Sequence, residues 1–282
     1  MLAKLLALTK PSSKLEISDV IDADSHQWIL DTFSWALSHF DVLEFKNNSK
    51  LVLPNNQFYQ GSVSSVHEMA LSIFKQTTQY AGMQEWPILL VTPERFFAGS
   101  QQIIIPPFNM VDHCRGDNTP FAKLNDEDSE KLQQQPIMLS YRANQVNQPQ
   151  DLISSIVQNL ANILIVQQRS LPPGGEEYIP QAVDIIACFM GFGVIFSNTA
   201  YQFKGGCGSC NNPNANRQSA LPENETLHAL ALFCLLKAIK PKVVKPHLKS
   251  HLRKQFSLSY HALSNTLKNS ADPVLLSLLN AR

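Results

Sequence analysis

The residues from 151 to 168 combine an apolar helix pattern with a stripe of uncharged polar side chains. Nearly all of the other residues in this stretch are Leu, Ile, Val or Ala, and no charged residue occurs between Asp151 and Arg169. A helix face in contact with water usually carries charged side chains, so this stripe needs a chemical explanation. Its members recur at the spacing of one helical face and are Ser154, Ser155, Gln158, Asn159 and Asn162.

The spacing of the carboxamides matches that of the helical zinc motif His-Glu-x-x-His. In that motif two imidazoles one turn apart hold the metal, and the glutamate takes a proton from metal-bound water. Here the five positions read Gln158-Asn159-Leu160-Ala161-Asn162. Neutral amide oxygens are poor zinc ligands beside imidazole, and a carboxamide cannot act as a general base near neutral pH. The stripe is therefore either a degenerate metal site or an ordinary helix contact lining a shallow wet cleft.

A second set of residues with possible chemistry is the C-x-x-C pair Cys207 and Cys210, in a glycine-rich loop. The pair could form half of a zinc site, with Cys114 or His113 as partners, or it could be a redox pair. The sequence has no second C-x-x-C, and the strand-then-helix context of thioredoxin-like motifs is missing. A plain loop is the favoured interpretation.

The composition limits the class of protein. The chain has 282 residues, 44% of them hydrophobic, which is enough for a substantial core. Acidic and basic residues balance at 23 each, so no net field favours a nucleic acid or a membrane as partner. Five cysteines at scattered spacings argue against a disulfide framework. The apolar run at the N-terminus is too short for a signal peptide, and we expect a soluble cytoplasmic protein.

The first half of the chain mixes the two kinds of secondary structure. Apolar spacing predicts helices over 25–41 and 66–83. Short apolar runs bounded by Pro and Asn predict strands over 50–56, 86–91, 101–108 and 136–142. The polar residues near 111–135 predict a mobile loop.

The second half is predicted to be mainly helical. One helix starts near Pro149, with Asp151 in its first turn. An almost wholly apolar helix starts at Pro180 and is expected to be buried at the centre of the fold. A third helix, near 221–239, is followed by a basic helical extension over 240–282. No linker divides the chain, so we expect a single α+β domain.

Four short motifs carry a resemblance to a known family. They are VLPNNQFYQG at 52–61, YAGMQEW at 80–86, DIIACFMGFGVIFSN at 184–198 and LPENETLHALALF at 221–233. In this order, they resemble the motifs of an uncharacterised bacterial family of zincin-like proteins that carry a His-Glu-Leu-x-His helix. The resemblance implies a zincin-like fold for the single domain.

The same resemblance assigns positions within a former metal site. It places Gln158 and Asn162 where the histidine ligands would be and Asn159 where the general base would be. The third ligand of the family is an acid on the later buried helix, for which Asp184 is the candidate and Glu177 the second choice. We therefore expect Asp184 to converge with Gln158 and Asn162. An isolated buried carboxylate would need another partner, because an unpaired buried charge is costly.

These observations predict a catalytically inactive zincin-like protein, without a metal cofactor, that binds a protein or a peptide. The alternative is an active metal-dependent hydrolase or thiol protein that uses Cys207 and Cys210, with zinc as its cofactor. His228 is predicted to be a core or cleft histidine, at a position that could face Asp184.

Overall fold

The computed structural model describes most of the chain, and its elements are numbered here in chain order. The described residues are 16–60, 65–98, 114–117, 119, 121, 136–168, 170–200, 219–267 and 273–280. In the first half these residues form α1 (Ala23–His39), α2 (Val42–Asn47), α3 (Val66–Ala81), β1 (Ile88–Val91), α4 (Pro93–Ala98) and β2 (Ile137–Ser140).

The second half is mainly helical in its described residues, as predicted. Its helices are α5 (Pro149–Gln167), α6 (Ile179–Ala187), α7 (Gly193–Thr199), α8 (Glu223–Leu236), α9 (Pro241–Val244), α10 (Leu252–Thr266) and α11 (Pro273–Asn280). Pro149 lies in the first turn of α5, and Asp151 is the acidic residue of that turn. The structure is thus mostly helical with a small sheet, which is compatible with a single α+β domain.

The sheet consists of β1 and β2, which pair in parallel from Ile88 opposite Ile137 to Val91 opposite Ser140. Both strands were predicted. The strand predicted over 50–56 is wrong: these residues are not in a strand, and the Val52 N–H donates to the carbonyl oxygen of Gly191 at 2.9 Å. The residues at 51–53 are apolar because they are buried against the helices and not because they lie in a sheet. The strand predicted over 101–108 lies outside the described residues.

The central apolar helix is interrupted where continuous helix was predicted. Between α6 and α7, a π-helical turn spans Cys188–Phe192, and Gly191 has φ +98°. A Cβ atom at this position would lie 1.9 Å from the carbonyl oxygen of Lys50, so only glycine allows the segment at 50–52 to pass so closely. The helical stretch from Glu176 to Thr199 is long and apolar enough to cross a membrane by composition, but its most apolar part is 83% buried within the fold.

The core is centred on α8, whose residues from Thr226 to Leu236 are all buried. A helix that is apolar on every side must be surrounded by other elements. It is packed against α10 along its length and also contacts α1, α6, α7 and the π-helical turn. Helix α5 packs against α3, α6 and α7.

Of the mobile loop predicted near 111–135, the structure describes only residues 114–117, 119 and 121, and Arg115 among them is buried in the core. Arg115 is 1% exposed, and its guanidinium donates to the carbonyl oxygens of Phe40 at 3.2 Å and Ala81 at 3.3 Å. The same group lies 4.9 Å from the centre of the Phe189 ring. Burial lowers the pKa of Arg115 to about 10, and the nearby Glu44 carboxylate opposes that shift. This arginine ties the segment at 114–117 to α1 and α3.

Candidate functional site

The predicted carboxamide stripe forms one face of α5. Gln158, Asn159 and Asn162 are half-buried, and Val166, one turn after Asn162, is 51% exposed. Ser154 is instead fully buried, and its hydroxyl donates to the carbonyl oxygen of Asp151 at 3.0 Å. The stripe therefore faces outward from the core, as its spacing predicts, with Ser154 at its buried edge.

The first part of the stripe makes a local contact. A short 3-10 turn at Ala143–Asn147 precedes α5 and packs back on it. The buried carboxamide of Gln145 donates to the hydroxyl of Ser155 at 2.8 Å, and Asn159 donates to the carbonyl oxygen of Ser155 at 3.0 Å. These bonds fit the plainer interpretation of the stripe, a polar contact between a helix and its neighbour.

Asp184 is fully buried on α6, as the resemblance requires of the third ligand. Its Oδ2 atom accepts hydrogen bonds from the N–H groups of Ala220 at 2.9 Å and Leu221 at 3.0 Å, and from the hydroxyl of Ser219 at 3.3 Å. The buried charge therefore has the partner that burial demands, namely the main chain just before α8. Helices α5 and α6 pack together, but the predicted convergence of Asp184 with the carboxamides stays a prediction. The second choice, Glu177, is exposed in a 3-10 turn.

The thiol alternative falls mostly outside the described residues, which do not include Cys207, Cys210 or His113. Cys114 is described and buried; its thiol donates to the carbonyl oxygen of His39 at 3.6 Å and accepts from the carboxamide of Gln168 at 3.0 Å. Within the described ranges, no group of three or more His, Cys, Asp or Glu side chains is placed to hold a metal ion.

His228 is a core histidine, as predicted, but its partner is another histidine. Its Nε2 atom lies 3.0 Å from Nδ1 of His26 on α1, and the two rings meet edge to face with centroids 5.2 Å apart. Burial and the neighbouring His26 lower the pKa of His228 to about 3, and burial also lowers the pKa of His26. Sequence reasoning missed His26, because one histidine in the first turn of an amphipathic helix carries no motif.

A cleft opens beside the start of α5, away from the carboxamides at 158–162. Its deeper part is a cavity of about 330 Å³ between the segment at 54–60, helix α3 and the first turn of α5. The floor is apolar and includes Tyr59, Met69, Ile73 and Ile153. Carboxamides form much of the polar rim, and the whole lining is uncharged: Pro54, Asn55, Asn56, Tyr59, Gln60, Met69, Ser72, Ile73, Gln76, Pro149, Gln150 and Ile153.

A second cavity of about 320 Å³ adjoins the first, since Pro149 and Gln150 line both. Most of its lining residues are polar. Among the residues that line the two cavities, only Asp151 and Lys249 are charged, and both line this second cavity. Asn198 forms one wall, where its carboxamide donates to Gln150 at 3.1 Å and to the carbonyl oxygen of His247 at 2.9 Å. The two cavities together make an elongated cleft across the N-terminal end of α5.

The walls of the cleft are fixed by their own hydrogen bonds. Gln76 on α3 accepts from the main-chain N–H of Gln60 and donates to its carbonyl oxygen, both at 3.0 Å. The carboxamide thus binds the main chain at residue 60 as a neighbouring peptide group would. Tyr80 adds a bond from its hydroxyl to the carbonyl oxygen of Phe58 at 2.7 Å. The segment at 54–60 is therefore held against α3 in a defined conformation.

Comparison of the chain with protein-family models, with curated proteins and with solved structures found no match.

Proposed function

We propose that this protein is a catalytically inactive, zincin-like protein that binds an uncharged peptide segment in the cleft at the start of α5. The observation that carries the proposal is the uncharged cavity of about 330 Å³ in this cleft, which joins apolar side chains to neutral carboxamides. Such a lining is typical of ligand sites, in which apolar surface supplies affinity and a few placed polar groups supply orientation.

The chemistry of the rim fits a peptide main chain. Each peptide group offers one N–H donor and one carbonyl acceptor, and a carboxamide offers the complementary pair. The rim at Asn56, Gln60 and Gln150 can therefore bind the main chain without selecting a charge. An apolar side chain of the peptide would enter the floor between Tyr59, Met69 and Ile73 and lose its contact with water there.

The absence of catalysis follows from the residues at the former metal positions. Gln158 and Asn162 offer only neutral amide groups where zinc would need imidazoles, and Asn159 cannot take a proton from water. The zincin-like fold is supported by the ordered motifs of the sequence and by the polar face of α5. The small number of cysteines and their scattered spacings support the further proposal of a reducing, cytoplasmic location.

The binding proposal is tested with an array of uncharged synthetic peptides that vary in their apolar residues. We expect the wild-type protein to select peptides with one bulky apolar side chain. Met69→Arg puts a charge in the apolar floor and should weaken binding at least tenfold. The matched control is Leu71→Arg, because Leu71 is 38% exposed on the same helix and does not line the cleft. Equal binding by wild type and Met69→Arg would exclude this cleft.

The inactive part of the proposal has its own measurement. A selected peptide is incubated with the protein, with and without added zinc, and is then analysed by mass spectrometry. We expect the peptide to be recovered intact in both samples. Cleavage that depends on the protein would contradict the pseudoenzyme proposal and leave the binding result standing.

A further inference from the structure

The histidine pair, His26 and His228, joins two elements that are distant in sequence. His26 lies in the first turn of α1 and is 8% exposed, and His228 lies in the second turn of α8 and is fully buried. The two ring nitrogens, Nδ1 of His26 and Nε2 of His228, are 3.0 Å apart, which is hydrogen-bonding distance. The contact therefore requires one ring to donate and the other to accept.

The second nitrogen of His228 decides which ring donates. Nδ1 of His228 is buried and has no hydrogen-bond partner within the described part of the chain. A buried N–H group without an acceptor is more costly than an unused lone pair. His228 therefore carries its proton on Nε2 and donates it to Nδ1 of His26, and both rings are neutral.

The titratable groups around the histidine pair are engaged elsewhere. On α8, Glu225 accepts from the hydroxyl of Ser25 at 3.0 Å, and Glu223 lies 3.3 Å from the exposed His251 at the start of α10. Burial raises the pKa of Glu225, so this carboxylate is itself less readily ionised than usual. Three further titratable groups lie on the neighbouring elements. Asp22 accepts from the N–H of Ser25 at the start of α1, and Asp184 accepts from the main-chain N–H groups just before α8. The thiol of Cys188 lies 4.0 Å from the carbonyl oxygen of Thr226.

We propose that the histidine pair is a proton-sensitive contact between α1 and α8, which is stable while both rings are neutral and opens when either ring takes up a proton. A proton on Nδ1 of His26 would leave that atom unable to accept the hydrogen bond from Nε2 of His228. A proton on His228 would place an N–H group and a positive charge in the core, where Nδ1 has no acceptor. The first turn of α1 and the second turn of α8 would then separate.

The direction of the pH dependence follows from the sign of the pKa shifts. Both folded-state pKa values are lowered from 6.5, and that of His228 falls to about 3. The unfolded chain therefore binds more protons than the folded chain below pH 6.5. The contribution of the pair to stability is complete above pH 6.5 and is lost progressively as the pH falls toward 3. For His228 alone, the folding equilibrium constant should fall about twentyfold between pH 7 and pH 5.

Urea unfolding at pH 7 and pH 5 tests the proposal with two variants. His228→Gln keeps a neutral hydrogen-bonding group but cannot be protonated. The fall of about twentyfold in the folding equilibrium constant between pH 7 and pH 5 that we assign to His228 should therefore be absent in this variant. His261→Gln is the matched control, because His261 is exposed on α10, and it should keep the wild-type pH dependence. Equal pH dependence in wild type and His228→Gln would overturn the proposal.

Nuclear magnetic resonance of the wild-type rings gives a second test that does not depend on the folding of a variant. With ¹⁵N-labelled histidine, His228 should remain neutral at pH 5 with its proton on Nε2. Amide exchange, corrected for its intrinsic pH dependence, should accelerate between pH 7 and pH 5 around His26 in α1 and around His228 in the second turn of α8, and not in α10. A His228 ring that titrates near pH 6.5, or acid-induced exchange spread evenly over the chain, would overturn the proposal.

Discussion

Replacing Gly191 with Ala should destabilise the fold far more than a glycine substitution usually does. At φ +98°, an alanine would be strained by about 1–2 kcal/mol. Its Cβ atom would also lie 1.9 Å from the carbonyl oxygen of Lys50, which is main chain and cannot rotate away. Relief of this clash would move the segment at 50–52 and break the bond from Val52 to Gly191, worth about 1 kcal/mol. Val52 is fully buried, and exposing part of it would cost roughly 1–2 kcal/mol more.

The matched control for this prediction is Gly175→Ala. Gly175 also has a positive φ, +80°, but a Cβ atom there would have no neighbour within 4 Å. It should therefore cost only the conformational strain of φ +80° and ψ −159°, about 1–3 kcal/mol. The measurement is urea unfolding at pH 7 with linear extrapolation, and the loss for Gly191→Ala should exceed that for Gly175→Ala by about 2 kcal/mol. Losses that agree within about 0.5 kcal/mol would refute the argument from the close approach.

Three further predictions concern buried charge and the positions that the zincin resemblance assigns to a metal site. Arg115→Met should lower the free energy of unfolding in urea by about 3 kcal/mol, because two buried carbonyl groups lose their donor. Arg253→Met removes similar bonds at an exposed position and should cost under about 1 kcal/mol. Asp184→Ala should destabilise the fold by about 3 kcal/mol. Asp184→Asn should cost clearly less, because an amide oxygen can still accept from the main chain. Equal losses for the two variants would mean that the charge of Asp184 is required. Gln158→His combined with Asn162→His should create a zinc site if Asp184 lies within reach. Zinc at a hundredfold excess over Kd should then raise the free energy of unfolding by about 2.7 kcal/mol. A folded double variant whose thermal melt does not shift with zinc would refute the predicted convergence.

Local signals made several elements of this fold predictable. Helix α5 was found because its carboxamides and aliphatic residues keep the helical period and because Pro149 and Asp151 mark its start. Strands β1 and β2 are short apolar runs bounded by prolines, and both were found in this way. Their parallel pairing was not predictable, since it depends on how the intervening chain returns and not on the residues within either strand.

The parts that could not be predicted depend on contacts between distant residues. The π-helical turn at Gly191 lies in an unbroken apolar run, and only the approach of the chain near Lys50 gives it a reason. Periodicity predicted the polar face of α5 and the resemblance predicted a buried Asp184, but their convergence stays a prediction, and the cleft beside the first turn of α5 was not predicted. The pairing of His26 with His228 was missed because His26 belongs to no motif, His228 was expected near Asp184, and 202 positions separate the two histidines.

The long apolar stretch from Glu176 to Thr199 has a consequence for synthesis of the protein on the ribosome. The mean hydropathy of its most apolar 18 residues, 1.9, is that of a membrane-spanning segment, yet in the fold α8 covers it. Because α8 ends at Leu236, the stretch emerges first and stays uncovered on that side until the later helix is made. At roughly 5–20 residues per second that interval is on the order of seconds, which is long enough for chaperones or membrane-targeting factors to bind a nascent apolar helix. The order of these two helices along the chain, and not the stability of the finished fold, therefore sets the period of greatest risk for aggregation.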